Sequence, residues 1–248
     1  MSLHGQHAVV TGGGKGIGES IARKLADLGA KLTLMGRHKD TLDAVSNSLP
    51  EAQSVVCDVS DEANVKSAFA QAVEGFGNIS ILINNAGIAG SSPFARTTLE
   101  QFQMIMDVNV TGTFLCTREV LPAMLASKTG RIVNIASTAG LEGNAYIAPY
   151  SASKHAMVGM TKSLAKEVLG TAITVNAVCP GYTDTEMAQL AVDTAASKTG
   201  KSLEEARAMI AQQNPQKRII HPDEVAEMVA WLCLEKSSGI TGQAIMIA

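Results

Sequence analysis

Of the three tyrosines in the chain, only Tyr150 has a lysine four residues on, in Tyr150-Ser151-Ala152-Ser153-Lys154; at that distance Tyr146 meets Tyr150 and Tyr182 meets Glu186. Side chains at i and i+4 share a helix face, so the spacing sets the Lys154 ammonium beside the phenol. A free phenol ionises near pH ~10, too high for ready proton exchange at neutrality. A cation about 4 Å away, at an effective dielectric near 20, offers at most about 4 kcal/mol, roughly a thousandfold in acidity. Desolvation opposes part of this, and the expectation is a net downward shift for Tyr150. Ser137 precedes Tyr150 by thirteen residues and closes a β-branched run, where its hydroxyl can hold the oxygen that Tyr150 protonates. Thr138 is a rival with the same chemistry. Each feature has a plain alternative, a surface Tyr/Lys pair or a serine that satisfies a turn. Taken together they point to proton transfer at a carbonyl or alcohol oxygen.

The elements that must position these groups follow from periodicity. Short β-branched runs alternate with longer helical stretches and no break in composition, which predicts one doubly wound α/β domain over residues 1–248 with a parallel sheet and helices on both faces. Seven strands are expected near Ala8–Thr11, Lys31–Met35, Ser54–Cys57, Ile79–Ile83, Arg131–Ala136, Thr174–Val178 and Ala244–Ile247. Helices are expected over Gly16–Leu28, Lys39–Leu49, Asp61–Glu74, Leu99–Ala126, Tyr150–Leu169 and Pro222–Glu235. Ser137 then falls at a strand's carboxyl end, where parallel sheets form their ligand crevice. Thr185–Gln216 breaks the alternation: it lacks a strand, carries one amphipathic segment at Leu203, Ala206 and Ile210, and reads as a lid or binding loop.

The first strand runs directly into Thr11-Gly12-Gly13-Gly14-Lys15-Gly16-Ile17-Gly18, and a helix follows at once. Five glycines among the seven residues from Gly12 to Gly18 suit a backbone that must approach a pyrophosphate closely at a helix N-terminus. The pattern is T-G-x-x-x-G-x-G rather than G-x-G-x-x-G. Discrimination at the ribose 2′ position belongs at the end of the second strand, which reads Met35-Gly36-Arg37-His38 with no carboxylate before Asp40. Arg37 can grip a 2′-phosphate bidentately and Lys15 can add a point charge, so NADP(H) is expected over NAD(H).

Hydrophobic residues make up 46% of the 248, enough for a sizeable core, while aromatics make up 4%, so that core must be aliphatic. A net charge of −3 lacks the basic footprint that nucleic acid demands. Apolar runs are too short for a membrane span, and no leader pattern opens the chain, so a cytoplasmic location is expected. Four cysteines lie far apart without C-x-x-C spacing and the five histidines form no ligand pair; neither a metal site nor a disulfide framework is expected.

These motifs together resemble the short-chain dehydrogenase/reductase family, in its so-called classical group, over nearly the whole chain. The glycine loop matches the family's cofactor motif at Gly12, Gly16, Ile17 and Gly18, with Gly14 and Lys15 inside it. Asp58-Val59 resembles the pair that contacts adenine, and Asn84-Asn85-Ala86-Gly87 the loop that borders the cofactor. Pro180, Gly181, Thr183 and Thr185 are similar to the segment that covers the nicotinamide. The resemblance implies that Ser137 holds the carbonyl, Tyr150 is the acid/base, and Lys154 lowers its pKa and binds the nicotinamide ribose. It also implies that Asn109 anchors a relaying water.

The segment Arg131–Met187 looks especially like ketoreductases of fatty-acid and polyketide synthesis. This implies reduction of a 3-oxoacyl thioester borne by CoA or an acyl carrier protein, with Met187, Leu190, Ala191 and Val192 either lining an acyl channel or packing a lid helix. Oxidation of a 3-hydroxyacyl-CoA, action on an unrelated ketone or sugar, and a non-catalytic NADP(H)-binding regulator are the alternatives. Leu99–Ala126 and Tyr150–Leu169 resemble helices that pack across a dyad in family tetramers, which implies a homotetramer. Family members usually run past the last strand with a Gly-Gly pair and a short tail, whereas this sequence stops at Ala248.

Overall fold

The computed structural model describes residues 2–248. Seven strands, β1 (His7–Thr11), β2 (Lys31–Gly36), β3 (Ala52–Val56), β4 (Ile81–Asn84), β5 (Thr129–Ile135), β6 (Ala172–Pro180) and β7 (Ala244–Ile247), form one sheet in the order β3-β2-β1-β4-β5-β6-β7. Every neighbouring pair is parallel. The chain builds outward from β1 to β3, then returns to lay β4 on the other side of β1. Strand order therefore reverses between β1 and β4, the place where such sheets open a crevice at their carboxyl ends.

The strands are apolar on both faces because helices cover both. Ala8, Val10, Ile81 and Ile83 face one layer, which α1 (Gly16–Asp27) and α9 (Pro222–Cys233) cover with Ile21, Leu25, Val225 and Val229. Val9 and Leu82, one residue out of phase, face the other layer with Phe69 of α3 (Glu62–Phe76) and Leu115 and Val120 of α5 (Gly112–Ser127). Each such side chain contributes about 1.5–3 kcal/mol when fully buried. The remaining helices are α2 (Lys39–Ser46), α4 (Leu99–Met106), α6 (Ala148–Glu167), α7 (Glu186–Thr199) and α8 (Leu203–Ala211). Among the described residues, no helix is long and apolar enough to cross a membrane.

Three elements differ from the sequence expectation. The helix expected over Leu99–Ala126 is interrupted by a π turn at Asp107–Thr111, where the Gly112 N–H donates to the Asp107 carbonyl five residues back. The helix expected from Tyr150 starts at Ala148 with Pro149 in its first turn, so Tyr150 lies in that turn. The lid segment holds two helices rather than one. Gly200 in the left-handed conformation (φ 68°) ends α7, and a capping box between Ser202 and Glu205 starts α8. Val192 of α7 packs with Ala206 and Ile210 of α8, which assigns Val192 to lid packing, while Met187 and Leu190 are exposed.

Candidate functional site

The glycine loop is shaped by close backbone approach. Gly12 has φ +65°, and a Cβ there would lie 2.9 Å from Asn85 Nδ2; a Cβ on Gly18 would lie 2.1 Å from the Gly12 carbonyl oxygen. Thr11 ties β1 to β4, its Oγ1 accepting from the backbone N–H groups of Asn85 and Ala86, each at 3.0 Å. Asn85 answers by donating from Nδ2 to the carbonyls of Thr11 (2.9 Å) and Gly12 (3.2 Å). Lys15, at the N-cap of α1, makes no side-chain cap, so the first amides of α1 keep their open donors and positive potential. A closely approached backbone above an uncapped helix start fits a dinucleotide pyrophosphate.

Arg37 is exposed just beyond β2, and its charge is one of the influences that hold the Asp58 carboxyl low, after the hydrogen bond from the Ser60 hydroxyl (2.6 Å). Arg37 and Ser60 border one open depression. Lys15, expected to share a 2′-phosphate with Arg37, is instead ion-paired with Glu186 at the start of α7. The cause is long-range packing: a Cβ on Gly16 would lie 3.2 Å from Thr185 Cγ2, so the lid helix begins against the glycine loop. Asn84 also departs from expectation. It is 2% exposed and does not border the crevice, because its Nδ2 donates to Thr117 Oγ1 (3.0 Å) of α5 and to Asn134 Oδ1 (2.8 Å) of β5. Asn134 Nδ2 passes the chain on to Thr161 Oγ1 (2.8 Å) of α6, which donates to the Met157 carbonyl.

Ser137, Tyr150 and Lys154 meet at the carboxyl ends of β5 and β6. Ser137 Oγ accepts from the Ala139 N–H (3.1 Å) and so caps the short turn Thr138–Gly140; it reaches the Pro180 carbonyl at 3.5 Å. That turn packs directly on α6, since a Cβ on Gly140 would lie 2.8 Å from the Lys154 carbonyl oxygen. Lys154 is 4% exposed; its Nζ donates to the Ile135 carbonyl at 2.8 Å and lies 5.7 Å from the centre of the Tyr150 ring. Gly87 lies beside it, since a Cβ there would stand 3.5 Å from Nζ, at ordinary contact distance. Ser137, rather than its rival Thr138, is the hydroxyl beside Tyr150.

The electrostatics correct the sequence expectation. Burial pushes the Tyr150 phenol above its ordinary value, with the Ser137 hydroxyl pulling the other way. Burial likewise lowers Lys154 from 10.5 to about 8. Helical spacing brings the two together, but the ammonium is aimed at the Ile135 carbonyl and is itself desolvated, so removal from water outweighs pairwise attraction at the phenol.

Asn109 sits in the π turn, fully buried. Its Oδ1 accepts from the Ile88 N–H (2.8 Å), while Nδ2 donates to the Ile88 carbonyl (2.9 Å) and to Ser153 Oγ (2.9 Å). Both side-chain N–H groups thus have protein acceptors and Oδ1 accepts one bond, while the Asn109 carbonyl accepts from Thr113 Oγ1 (2.8 Å). Oδ1 and the main-chain carbonyl each keep a second lone pair, so the expected water-anchoring role retains an acceptor to serve it.

On the β6 side, Gly181 and Thr183 follow Pro180, with Thr183 Oγ1 donating to the Gly181 carbonyl (3.0 Å) and Thr185 capping α7. Asn214, which sequence reasoning missed, fixes this stretch. Its Oδ1 accepts from the Tyr182 N–H (2.8 Å), and its Nδ2 donates to the carbonyls of Tyr182 (2.9 Å) and Arg218 (2.6 Å). No local signal marks it, because the Tyr182 backbone that it anchors lies 32 residues away. Asp58 and Val59 follow β3, where a Cβ on Gly112 would lie 2.7 Å from Val59 Cγ2.

Comparison with known proteins agrees with this architecture. Residues 6–196 match the family described as short chain dehydrogenase. The chain is 42% identical over 246 residues to a protein of Streptomyces violaceoruber named as a ketoacyl reductase of the granaticin polyketide synthase, covering 97% of this chain and 90% of the relative. It is 36% identical to the 3-oxoacyl-[acyl-carrier-protein] reductase FabG of Aquifex aeolicus, covering 100% of this chain and 97% of the relative. A variant of actinorhodin polyketide ketoreductase crystallised with NADPH superposes with a TM-score of 0.95 at 40% identity, covering 98% of this chain and 95% of the other. With Ser137, Tyr150 and Lys154 meeting beside a glycine cradle, and a family match across most of its length, the chain belongs to the short-chain dehydrogenase family of oxidoreductases.

Proposed function

We propose that the protein reduces a 3-oxoacyl thioester, carried by an acyl carrier protein or CoA, to the 3-hydroxyacyl thioester with NADPH. The observation that carries the reading is the meeting of Ser137, Tyr150 and Lys154 beside the glycine cradle. The names of the granaticin and Aquifex relatives and of the NADPH-bound actinorhodin structure support the substrate class and the cofactor.

The pyrophosphate would rest on Gly12, Gly14, Gly16, Ile17 and Gly18. Asp58 and Val59 would flank the adenine; Asn85, Ala86 and Gly87 would flank the ribose. Pro180, Gly181, Thr183 and Thr185 would cover the nicotinamide. When bound, the cofactor supplies a hydride to the substrate carbonyl. Ser137 holds the carbonyl oxygen, and Tyr150 Oη gives that oxygen its proton. Raised above its ordinary value by burial, the phenol stays protonated at neutral pH, as an acid must. Lys154, with a pKa of about 8, is largely cationic at pH 7, stabilises the phenolate left behind and hydrogen-bonds the ribose. Asn109 holds the loop after β4 in place. Arg37 grips the 2′-phosphate. The exposed pair between Lys15 and Glu186 is weak, so Lys15 can exchange that carboxylate for a phosphate.

Turnover of acetoacetyl-CoA with NADPH, with Tyr150→Phe as the inactive control, tests the reaction. No turnover there beside good turnover of a cyclic ketone favours a second reading, to which the likeness to levodione reductase (TM-score 0.93, 32% identity) lends support. Arg37→Ala should cost NADPH ten- to a hundredfold in kcat/KM and leave NADH nearly unchanged, consistent with about 1.5–3 kcal/mol for charge-assisted bonds. A homotetramer is proposed by analogy with the family, and light scattering showing a stable monomer would reject it. The cytoplasm is the proposed location.

A further inference from the structure

We infer that Ser153 is a positioning residue for proton transfer by Tyr150, because it joins the catalytic helix to the loop bordering the cofactor through one continuous hydrogen-bonded path. The inference rests on the reading of Tyr150 as the acid. Ser153 is fully buried. Its hydroxyl donates to the Tyr150 carbonyl at 2.7 Å and accepts from Asn109 Nδ2 at 2.9 Å. Asn109 in turn grips both polar groups of Ile88, one residue after Gly87. A serine serving only its own helix bonds back to a carbonyl of the preceding turn and needs nothing more. Here the same oxygen also receives Asn109 of the π turn between α4 and α5, and Asn109 holds the loop after β4, so α6 is joined to both through two side chains.

The path ends on the main chain of Tyr150, in the first turn of α6, whose leading N–H groups have no intrahelical acceptor. Ser153 is therefore placed to fix how far the phenol stands from Ser137 and from the cofactor-side loop. Lys154, the next residue, shares that constraint. Its ammonium is held separately by the Ile135 carbonyl, so loss of the Ser153 link should let the phenol move relative to both neighbours while the ammonium stays. Displacement by about 1 Å in a proton-transfer geometry costs on the order of a hundredfold in rate.

Two variants separate this from packing: Ser153→Ala, and Ser153→Cys, which nearly keeps the volume but is a weak donor and acceptor. Expected are a ten- to hundredfold fall in kcat for both, with substrate KM within about threefold and NADPH Kd by fluorescence within about twofold. Adding Ser153→Ala to Asn109→Leu should cost less than a further twofold, since the path is already cut. In amide exchange, the Ile88 N–H should lose protection in Ser153→Ala. Folded variants with wild-type kcat overturn the inference. So does a loss confined to NADPH Kd or melting temperature, or one that multiplies with Asn109→Leu. If the wild-type protein reduces no carbonyl compound, the proposed function fails by itself; amide exchange then decides the link, and unchanged protection at Ile88 in Ser153→Ala overturns it.

Discussion

Lys154→Met should make the protein more stable while removing its activity. The Lys154 amine is 4% exposed, and burial takes its pKa from 10.5 to about 8. At about 1.4 kcal/mol per tenfold, holding it charged inside the fold at neutral pH costs roughly 3 kcal/mol. Methionine has similar length and no charge, but it leaves the Ile135 carbonyl without its 2.8 Å donor, a loss of about 1 kcal/mol or more. The net gain of about 1–2 kcal/mol corresponds to a melting temperature higher by about 2–8 °C for a chain of this size. The pH dependence has a definite sign. Below about 8 the amine is charged in both states and the native state bears the full cost. Between 8 and 10.5 the native state releases the proton while the unfolded chain keeps it, so the cost fades as pH rises. Differential scanning calorimetry of both proteins at pH 7 and pH 10 reads this directly, beside a fall in kcat of at least a hundredfold. A methionine variant no more stable than wild type at pH 7, or an advantage that does not shrink at pH 10, would refute the reasoning.

Other perturbations reach different parts of the molecule. Gly18→Ala places a methyl 2.1 Å from the Gly12 carbonyl oxygen and 2.5 Å from Asn85 Nδ2, so NADPH affinity by fluorescence titration should fall at least tenfold, with about 1–3 kcal/mol of stability lost. His7 is buried at the opposite end of the sheet, with Nδ1 on the Gly77 carbonyl (2.9 Å) and Nε2 on Thr33 Oγ1 (2.8 Å), and burial lowers its pKa from 6.5. The unfolded chain therefore takes up a proton first as pH drops below 6.5, and stability falls; His7→Asn should be weaker at pH 7 yet lose less between pH 7 and pH 5 in urea melts. Asn214→Ala removes three hydrogen bonds to the Tyr182 and Arg218 backbone, and should raise the NADPH KM severalfold together with a drop of several degrees in melting temperature.

Most of the frame could be read before any coordinate was known, because strands covered on both faces announce themselves as apolar runs. The pairing of Tyr150 with Lys154 followed from helical spacing, and Ser137 from its place at a strand end. Properties that depend on distant chain escaped. Lys15 pairs with Glu186, 171 residues away, which no local pattern reveals. The direction of the Tyr150 shift was misjudged, since spacing reports neighbours and not the water removed from around them. The π turn at Asn109 was hidden by helical periodicity that continues on both sides of it. The split of the lid segment was legible and overlooked, for Gly200 followed by Ser202-x-x-Glu205 is a stop and a start in succession.

The polar ladder from Thr117 through Asn84 and Asn134 to Thr161 has a wider consequence. Asn84 and Asn134 are direct register partners on β4 and β5, and their amide hydrogens find acceptors in one alignment of those strands with α5 and α6. A slip of a single residue would strand several donors in an apolar interior, at about 1–3 kcal/mol each. Greasy side chains can repack after such a slip; this ladder cannot. The chassis beneath the crevice is thereby indexed like a keyed joint, which leaves the outer segments that greet different reactants free to drift in sequence without disturbing the chemistry below them.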